Sequence, residues 1–304
     1  PRWLPASSGR RRPSRETLGL EAGPELTPVS EDRAAFRAAL RQVYWRDPCG
    51  VLPNALWKTL KSLDEDADLL TRVRHTSPCR SASPAGVHQL TAFDSERLLV
   101  WWSREGDPVP LKSTWLETAS LLLVHDRLLP YLVTAGVFDA SCYFRLSHRG
   151  DVQPVNLPTG FQFREADGTR DADRIASLIN ACYSHAHLTE DTVRSWLNHP
   201  VYAPGLWVWV IDRVTQAPAA LGIAELDPTV PEASLEWIRV LPTYRRQGLG
   251  RALVLELLRR ASGRVAFTTV SGRAVAGAGP ERLYRRCGFG GQDVWHVLRC
   301  RVSS

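Results

Sequence analysis

Apolar positions recur with two periods along this chain. From residue 161 onward they outline a regular succession of elements. Phe161 to Glu165, Leu206 to Ile211, Ala219 to Leu226 and Glu232 to Val240 are short apolar-rich runs bounded by turn residues, and they predict four strands. Asp171 to Tyr183 and a segment opened by Thr189-Glu190-Asp191 carry helical spacing between the first two of these strands. After the fourth strand, Leu253, Val254, Leu257 and Leu258 recur at i, i+1, i+4 and i+5, which predicts a helix to about Ala261. Arg264 to Val270 then reads as a fifth strand and Gly272 to Gly279 as a loop. Pro280 to Cys287 reads as a short helix, and Asp293 to Val302 as a strand closing the sheet.

The first half is less regular. Ser30-Glu31-Asp32 offers an N-cap for a helix over Ala34 to Tyr44, and a second short helix carries Leu56, Trp57 and Leu60 on one side. Leu69 to Val73 predicts a strand. Val87 to Phe93 and Arg97 to Trp102 flank Asp94-Ser95-Glu96 as a hairpin. The apolar stretch Leu116 to Val133 predicts a buried helix bent at Pro130, and Asp139 to Leu146 a strand. Residues 1–29, rich in Pro, Ser, Gly and Arg, read as an extended or flexible start. Ser147 to Pro158 is the best linker, so the expected organisation is an α/β unit over 30–150 followed by one over 159–304.

Composition narrows the function. A length of 304 residues with 44% apolar content suits two domains with real cores. The net charge of +6 is mostly arginine. Without zinc-finger spacing or an aromatic-basic RNA motif, it argues for an anionic cofactor over nucleic acid. The six scattered cysteines form no Cys-x-x-Cys pair, and no 18-residue apolar run occurs. A cytoplasmic protein with reduced thiols, no membrane span and no bound metal is the expectation.

The segment between the fourth strand and its helix carries the chemistry. Arg245-Arg246-Gln247-Gly248-Leu249-Gly250 is a glycine-bearing turn followed by Arg251. Its glycines admit close backbone approach, and the first-turn N–H groups of the next helix can hold phosphate. It is neither the Gly-Lys-Ser/Thr loop of ATP-binding proteins nor the three-glycine dinucleotide fingerprint. It resembles the pyrophosphate loop of the GCN5-related N-acetyltransferases, written Arg or Gln, two residues, Gly, one residue, Gly or Ala. Arg245, Gly248 and Gly250 match, and Leu283-Tyr284-Arg285-Arg286-Cys287-Gly288-Phe289 matches downstream.

This resemblance spans about 145 residues and implies a mixed, twisted α/β sheet in the C-terminal half. It implies that acetyl-coenzyme A is bound by Arg245, Arg246, Gln247, Gly248, Leu249, Gly250 and Arg251, with the backbone of Val240 and Leu241 meeting the pantetheine arm where the fourth strand splays from the fifth. It implies Tyr284 as the acid that protonates the leaving sulfur. The family's asparagine shortly before this tyrosine is missing here, where Gly279-Pro280 stands.

For the base, the resemblance implies Glu236, with Glu225 as alternative. Strand alternation puts Glu236 on one face with Ile238 and Val240, opposite Trp237 and Arg239. His185 and His187 fall where relatives line the acceptor pocket, although both read first as surface-loop residues. Trp57 and Trp101 are assigned to the core. Asp47-Pro48-Cys49, Leu56-Trp57-Lys58 and Cys287 to Trp295 resemble a poorly characterised bacterial subgroup. The activity implied is acetyl transfer to a primary amine of a small molecule or protein. A noncatalytic acyl-coenzyme A-binding or regulatory module is the alternative. The first half is compatible with a degenerate second acetyltransferase-like unit that lost its coenzyme loop, and homo-oligomers are compatible with the sequence.

Overall fold

The computed structural model describes residues 27–28, 31–66, 74–76, 87, 89–93, 97–103, 121–129, 138–182, 187–274 and 279–300. The predicted strand Leu69 to Val73 and the histidine His185 lie outside these residues, as does the side chain of Trp101. So does nearly all of the 1–29 segment.

One twelve-stranded sheet runs through both halves. Its strands are β1 (Thr27–Pro28), β2 (Arg74–Thr76), β3 (Gln89–Phe93), β4 (Arg97–Ser103), β5 (Leu121–His125), β6 (Phe138–His148), β7 (Phe161–Glu165), β8 (Trp207–Asp212), β9 (Pro218–Asp227), β10 (Glu232–Val240), β11 (Phe267–Arg273) and β12 (Gly290–Cys300). Their spatial order is β1-β2-β3-β4-β5-β12-β6-β11-β10-β9-β8-β7. The helices are α1 (Arg33–Arg46), α2 (Pro48–Val51), α3 (Leu56–Glu65), α4 (Ala172–Cys182), α5 (Glu190–Trp196), α6 (Leu249–Ala261) and α7 (Glu281–Arg286).

The C-terminal elements follow the predicted order. Thr189 caps α5 by accepting from the Thr192 amide at 3.2 Å. Asp32 makes no such side-chain bond at α1, whereas Asp47 caps α2 through the Gly50 amide at 2.9 Å. The hairpin β3–β4 is present, antiparallel from Gln89↔Ser103 to Phe93↔Leu98.

Two expectations fail. Leu121 to His125 is a strand, not part of a buried helix, and it pairs with β12 from Trp295↔His125 to Arg299↔Leu121. A continuous apolar run fits a doubly covered strand as well as a buried helix, and only its neighbours decide between them. β12 also does not close the sheet, because β6 lies on one side of it and β5 on the other.

Two faces bury different cores. Leu253, Val254, Leu257 and Leu258 of α6 pack against Val208, Ala220, Leu235 and Ile238. On the other face, Ile175 and Ile179 of α4 pack with Trp209, Leu221, Ile223 and Trp237. Helices α1 and α3 share a further cluster with Leu90, Val100, Val230 and Phe267, so it draws on both halves of the chain. A buried polar node joins these parts. The Tyr44 hydroxyl donates to Glu232 at 2.8 Å and accepts from Arg145 at 2.6 Å, and Arg145 also donates to the Pro48 carbonyl at 3.2 Å. Burial pushes the Glu232 carboxyl up, against the opposing charge of Arg145.

Candidate functional site

The site begins where β10 and β11 part. They pair in parallel only from Glu232↔Phe267 to Leu235↔Val270. Beyond that point β10 continues beside β9 as far as Val240↔Ala220, and β11 continues beside β6 as far as Arg273↔Tyr143. The two strands thus diverge and leave a wedge. A β-bulge sits at its apex, since Leu235 pairs with Ala224 while Trp237 pairs with Ile223, leaving Glu236 as the extra residue.

The expected alternation holds for Ile238 and Val240 against Trp237, while the bulge makes Glu236 the residue that departs from it. Leu235 and Ile238 enter one core and Trp237 the other. Glu236 accepts a 2.6 Å bond from the Ser234 hydroxyl and pairs with Lys58 of α3.

At the open end of the wedge, a 3-10 turn over Pro242–Tyr244 leads into the loop. Arg246 and Gly248 both adopt positive φ, at 62° and 81°. Gly248 is the N-cap of α6 and supplies no side-chain bond, so the first-turn N–H groups point outward without a side-chain cap. A groove of about 430 Å³ opens there, lined by Val240, Tyr244, Arg245, Arg246, Gly248, Leu249, Gly250, Arg251, Leu283 and Arg286. Four arginines and no acid face it, in addition to the positive end of a helix, which suits a phosphorylated anion such as the pyrophosphate of a coenzyme. Arg251 is anchored by donating to Gln153 at 2.7 Å, and Arg245 donates to the Val240 carbonyl at 3.3 Å. The predicted Val240, Arg245, Arg246, Gly248, Leu249, Gly250 and Arg251 all meet here. Leu241 is instead tied to β9 through its amide, which donates to the Ala219 carbonyl at 3.0 Å, and Gln247 is not among the lining residues.

Tyr284 does not line the groove. Leu283 and Arg286 do, while the Tyr284 ring turns inward, 6.0 Å from Phe144 and 5.7 Å from Phe289. It is only 6% exposed.

The acidic side of the wedge is built by both halves of the chain. Glu225 on β9 lies opposite Ser234 and accepts from the Trp57 indole at 2.9 Å. Burial, reinforced by the nearby charge of Glu236, pushes the Glu225 carboxyl up to about 8. Burial also opposes the charge on Glu236. There the Lys58 ammonium and the Ser234 hydroxyl outweigh it and hold the group below the usual carboxylate range. His199 lies tilted against Trp57 with ring centroids 5.2 Å apart and contacts Lys61 at 3.2 Å. Burial, then the Lys61 charge, lower its pKa. Trp57 is therefore a ligand of a carboxylate and not only a core residue. His187 is exposed on the loop before α5.

Lys58, Lys61 and His199 have no role in the sequence reading. Only the pairing of α3 with β9 and β10, 168 to 178 residues apart, brings them together. Among the described residues no group of three or more His, Cys, Asp or Glu could hold a metal ion, and no helix is long and apolar enough to cross a membrane.

Residues 172–289 match the model of the acetyltransferase (GNAT) family. The likeness in fold extends further. A GCN5-related N-acetyltransferase from Sphaerobacter thermophilus is similar over 91% of this chain and 96% of its own, with TM-score 0.63 and 14% identity. A Drosophila protein is similar over 93% of this chain and 100% of its own, with TM-score 0.54 and 16% identity. A tandem GNAT protein from the clavulanic acid biosynthesis pathway is similar over 92% and 98%, with TM-score 0.53 and 12% identity. No curated protein matches the chain. The GNAT-like sheet here takes a strand from the first half, because β6 lies between β11 and β12.

Proposed function

We propose that this protein is an N-acetyltransferase that moves an acetyl group from acetyl-coenzyme A directly to a primary amine of a small molecule or protein. The observation that carries the reading is the wedge between β10 and β11, whose open end meets the uncapped N-terminus of α6 in an arginine-lined groove. The coenzyme would supply the activated acyl thioester. Backbone N–H groups of α6 and Arg245, Arg246, Arg251 and Arg286 would hold its phosphates. The backbone of Val240 along the wedge would orient the arm.

The proton inventory follows from the acidic side. Glu236, ionised beside Lys58, and Glu225, protonated at neutral pH, form a linked pair. The amine's proton would pass to Glu236, or to Glu225 once pH rises through about 8, directly or through water, and Tyr284 would return a proton at the sulfur. As an acid with a reference pKa of about 10, a tyrosine holds its proton at neutral pH. The N-terminal half would act as a degenerate second acetyltransferase-like unit, lending α3 to the acceptor side. Support comes from the full-length fold likeness to a tandem GNAT protein. A reduced compartment such as the cytoplasm suits its free thiols.

A second reading, a noncatalytic acyl-coenzyme A-binding module, is favoured by one feature: Lys58 occupies the Glu236 carboxylate while Tyr284 faces the core. Calorimetric titration with acetyl-coenzyme A, then an amine panel followed by thiol release, separates the two. Binding with turnover supports the enzyme, binding without turnover on any amine supports the module, and no binding removes both.

A further inference from the structure

A second arrangement of reactive groups lies away from the coenzyme groove, at the seam between the two halves. Cys142 on β6 and His296 on β12 are directly opposite one another in the antiparallel ladder. Their side chains meet, with Cys142 Sγ 3.4 Å from His296 Nδ1. The other ring nitrogen, Nε2, lies 2.7 Å from Asp126 Oδ1, just after β5. Two adjacent strands and the turn that follows a third thus line up a thiol, an imidazole and a carboxylate in sequence. The carboxylate accepts the Nε2 proton, which leaves Nδ1 with its lone pair aimed at sulfur. This is the arrangement by which a base orients toward a thiol and takes its proton.

A second histidine shows what a purely bracing pair looks like here. His125 Nε2 lies 2.9 Å from Asp293 Oδ1, and its Nδ1 accepts from the Arg127 amide at 3.2 Å. Both of its nitrogens are used in holding backbone and strand. His296 differs in presenting its second nitrogen to a thiol.

Among the described cysteines, access leaves two candidates, Cys142 and Cys182, and only Cys142 meets a histidine. Cys142 is partly exposed and the Asp126 side chain is 59% exposed, so small molecules can approach from solvent. Cys49 and Cys287 are buried, and burial pushes their thiols up to about 12 and about 11. Cys182 is likewise raised by burial, and its sulfur faces the Val240 carbonyl.

We propose that Cys142, activated by His296 and oriented by Asp126, is a thiol–disulfide exchange site for small disulfides. His296 Nδ1 takes the thiol proton. The Cys142 thiolate attacks one sulfur of the disulfide, a new S–S bond to Cys142 forms, and the original S–S bond breaks. The second sulfur leaves as a thiolate and collects the proton from His296. A small thiol reverses the exchange.

The test uses the full chain with 5,5′-dithiobis(2-nitrobenzoate) at pH 7. Release of nitrothiobenzoate gives the rates, and peptide mass mapping assigns them to individual cysteines. The expected result is a fast phase that maps to Cys142, vanishes in Cys142→Ser, and slows about tenfold in both His296→Gln and Asp126→Asn. That factor, on the order of tenfold, is what removing a base positioned on the attacking thiol costs an exchange with a reactive small disulfide. A merely bracing role predicts the opposite sign, since loosening the strands would expose the sulfur and speed its modification. An unmodified Cys142, or an unchanged or faster Cys142 rate in Asp126→Asn, overturns the proposal. Asp126 is exposed, so its variant keeps the test decisive even where His296→Gln fails to fold.

Discussion

At the scale of single residues, three positions carry separable roles. Gly248 sits at φ 81°, a conformation that costs an L-residue roughly 1–2 kcal/mol and a β-branched one more. Its own Cβ would meet only Pro158, at 3.8 Å, so strain rather than crowding against protein is the penalty. Gly248→Val should therefore weaken acetyl-coenzyme A binding by about tenfold or more in calorimetry, the factor that corresponds to about 1.4 kcal/mol. Tyr284→Phe keeps the ring packed against Phe144 and Phe289 and removes only the hydroxyl. If that hydroxyl is the acid, single-turnover rates should drop about 10²–10⁴-fold with coenzyme affinity nearly unchanged. An unaltered rate would leave Tyr284 a packing residue. The two glutamates are told apart by pH. With its carboxyl at about 8, Glu225 becomes a competent base only as pH rises through that value, so a rate it carries climbs there. Glu236 is already ionised well below neutrality, and a rate it carries is flat near 8. A climb in single-turnover rate near pH 8 that Glu225→Gln abolishes assigns the base to Glu225. A climb that survives Glu225→Gln belongs to the acceptor amine or another group.

At the scale of elements, α3 and β10 depend on each other. α3 lays Trp57 and Lys58 against Glu225 and Glu236, and the β10 bulge turns Glu236 toward it. Removing the ammonium in Lys58→Met should raise the Glu236 pKa, because burial would no longer be opposed by that charge. The measurable consequence is an acid limb of the pH–rate profile displaced upward relative to the parent. An unmoved limb would mean that Glu236 takes no part in the chemistry. The bulge also explains why strict alternation did not place Glu236. One inserted residue breaks the period of two at that point, so Leu235 and Ile238 share a core while Trp237 and Ile238 keep the opposite faces expected of them. The strand β5 failed for a different reason, since its apolar run carries no period that distinguishes strand from helix.

At the scale of the whole molecule, the two halves share a sheet and an ion-pair node. Arg145 from β6 and Glu232 from β10 are each 1% exposed, with nitrogen and oxygen 3.6 Å apart. Arg145→Ala leaves Glu232 buried without its partner and should cost about 3–5 kcal/mol in denaturant unfolding. A loss under about 1 kcal/mol would mean that the carboxyl is neutral there and the pair is dispensable. The insertion of β6 bears on the expected boundary between 150 and 159. A 159–304 fragment would lack the strand that bridges β11 and β12, exposing two unpaired edges. We expect that fragment to aggregate or to lack a cooperative thermal transition by near-UV circular dichroism. A cooperatively folding fragment would establish the second half as independent.

The order of strands and helices from Phe161 onward, the anion loop and the need for glycine at 248 were all legible in the chain itself. Each rests on local periodicity or on backbone freedom within a few residues, which a sequence displays directly. The splay of the fourth strand from the fifth was implied by the family resemblance, whereas the bulge, the inward turn of Tyr284 and the insertion of β6 were decided only in three dimensions. So were the union of Lys58 with Glu236 across 178 residues and that of Cys142 with His296 across 154. These depend on which strands become neighbours. That choice is made by burial of whole faces and by pairing between distant segments, and no local pattern encodes it.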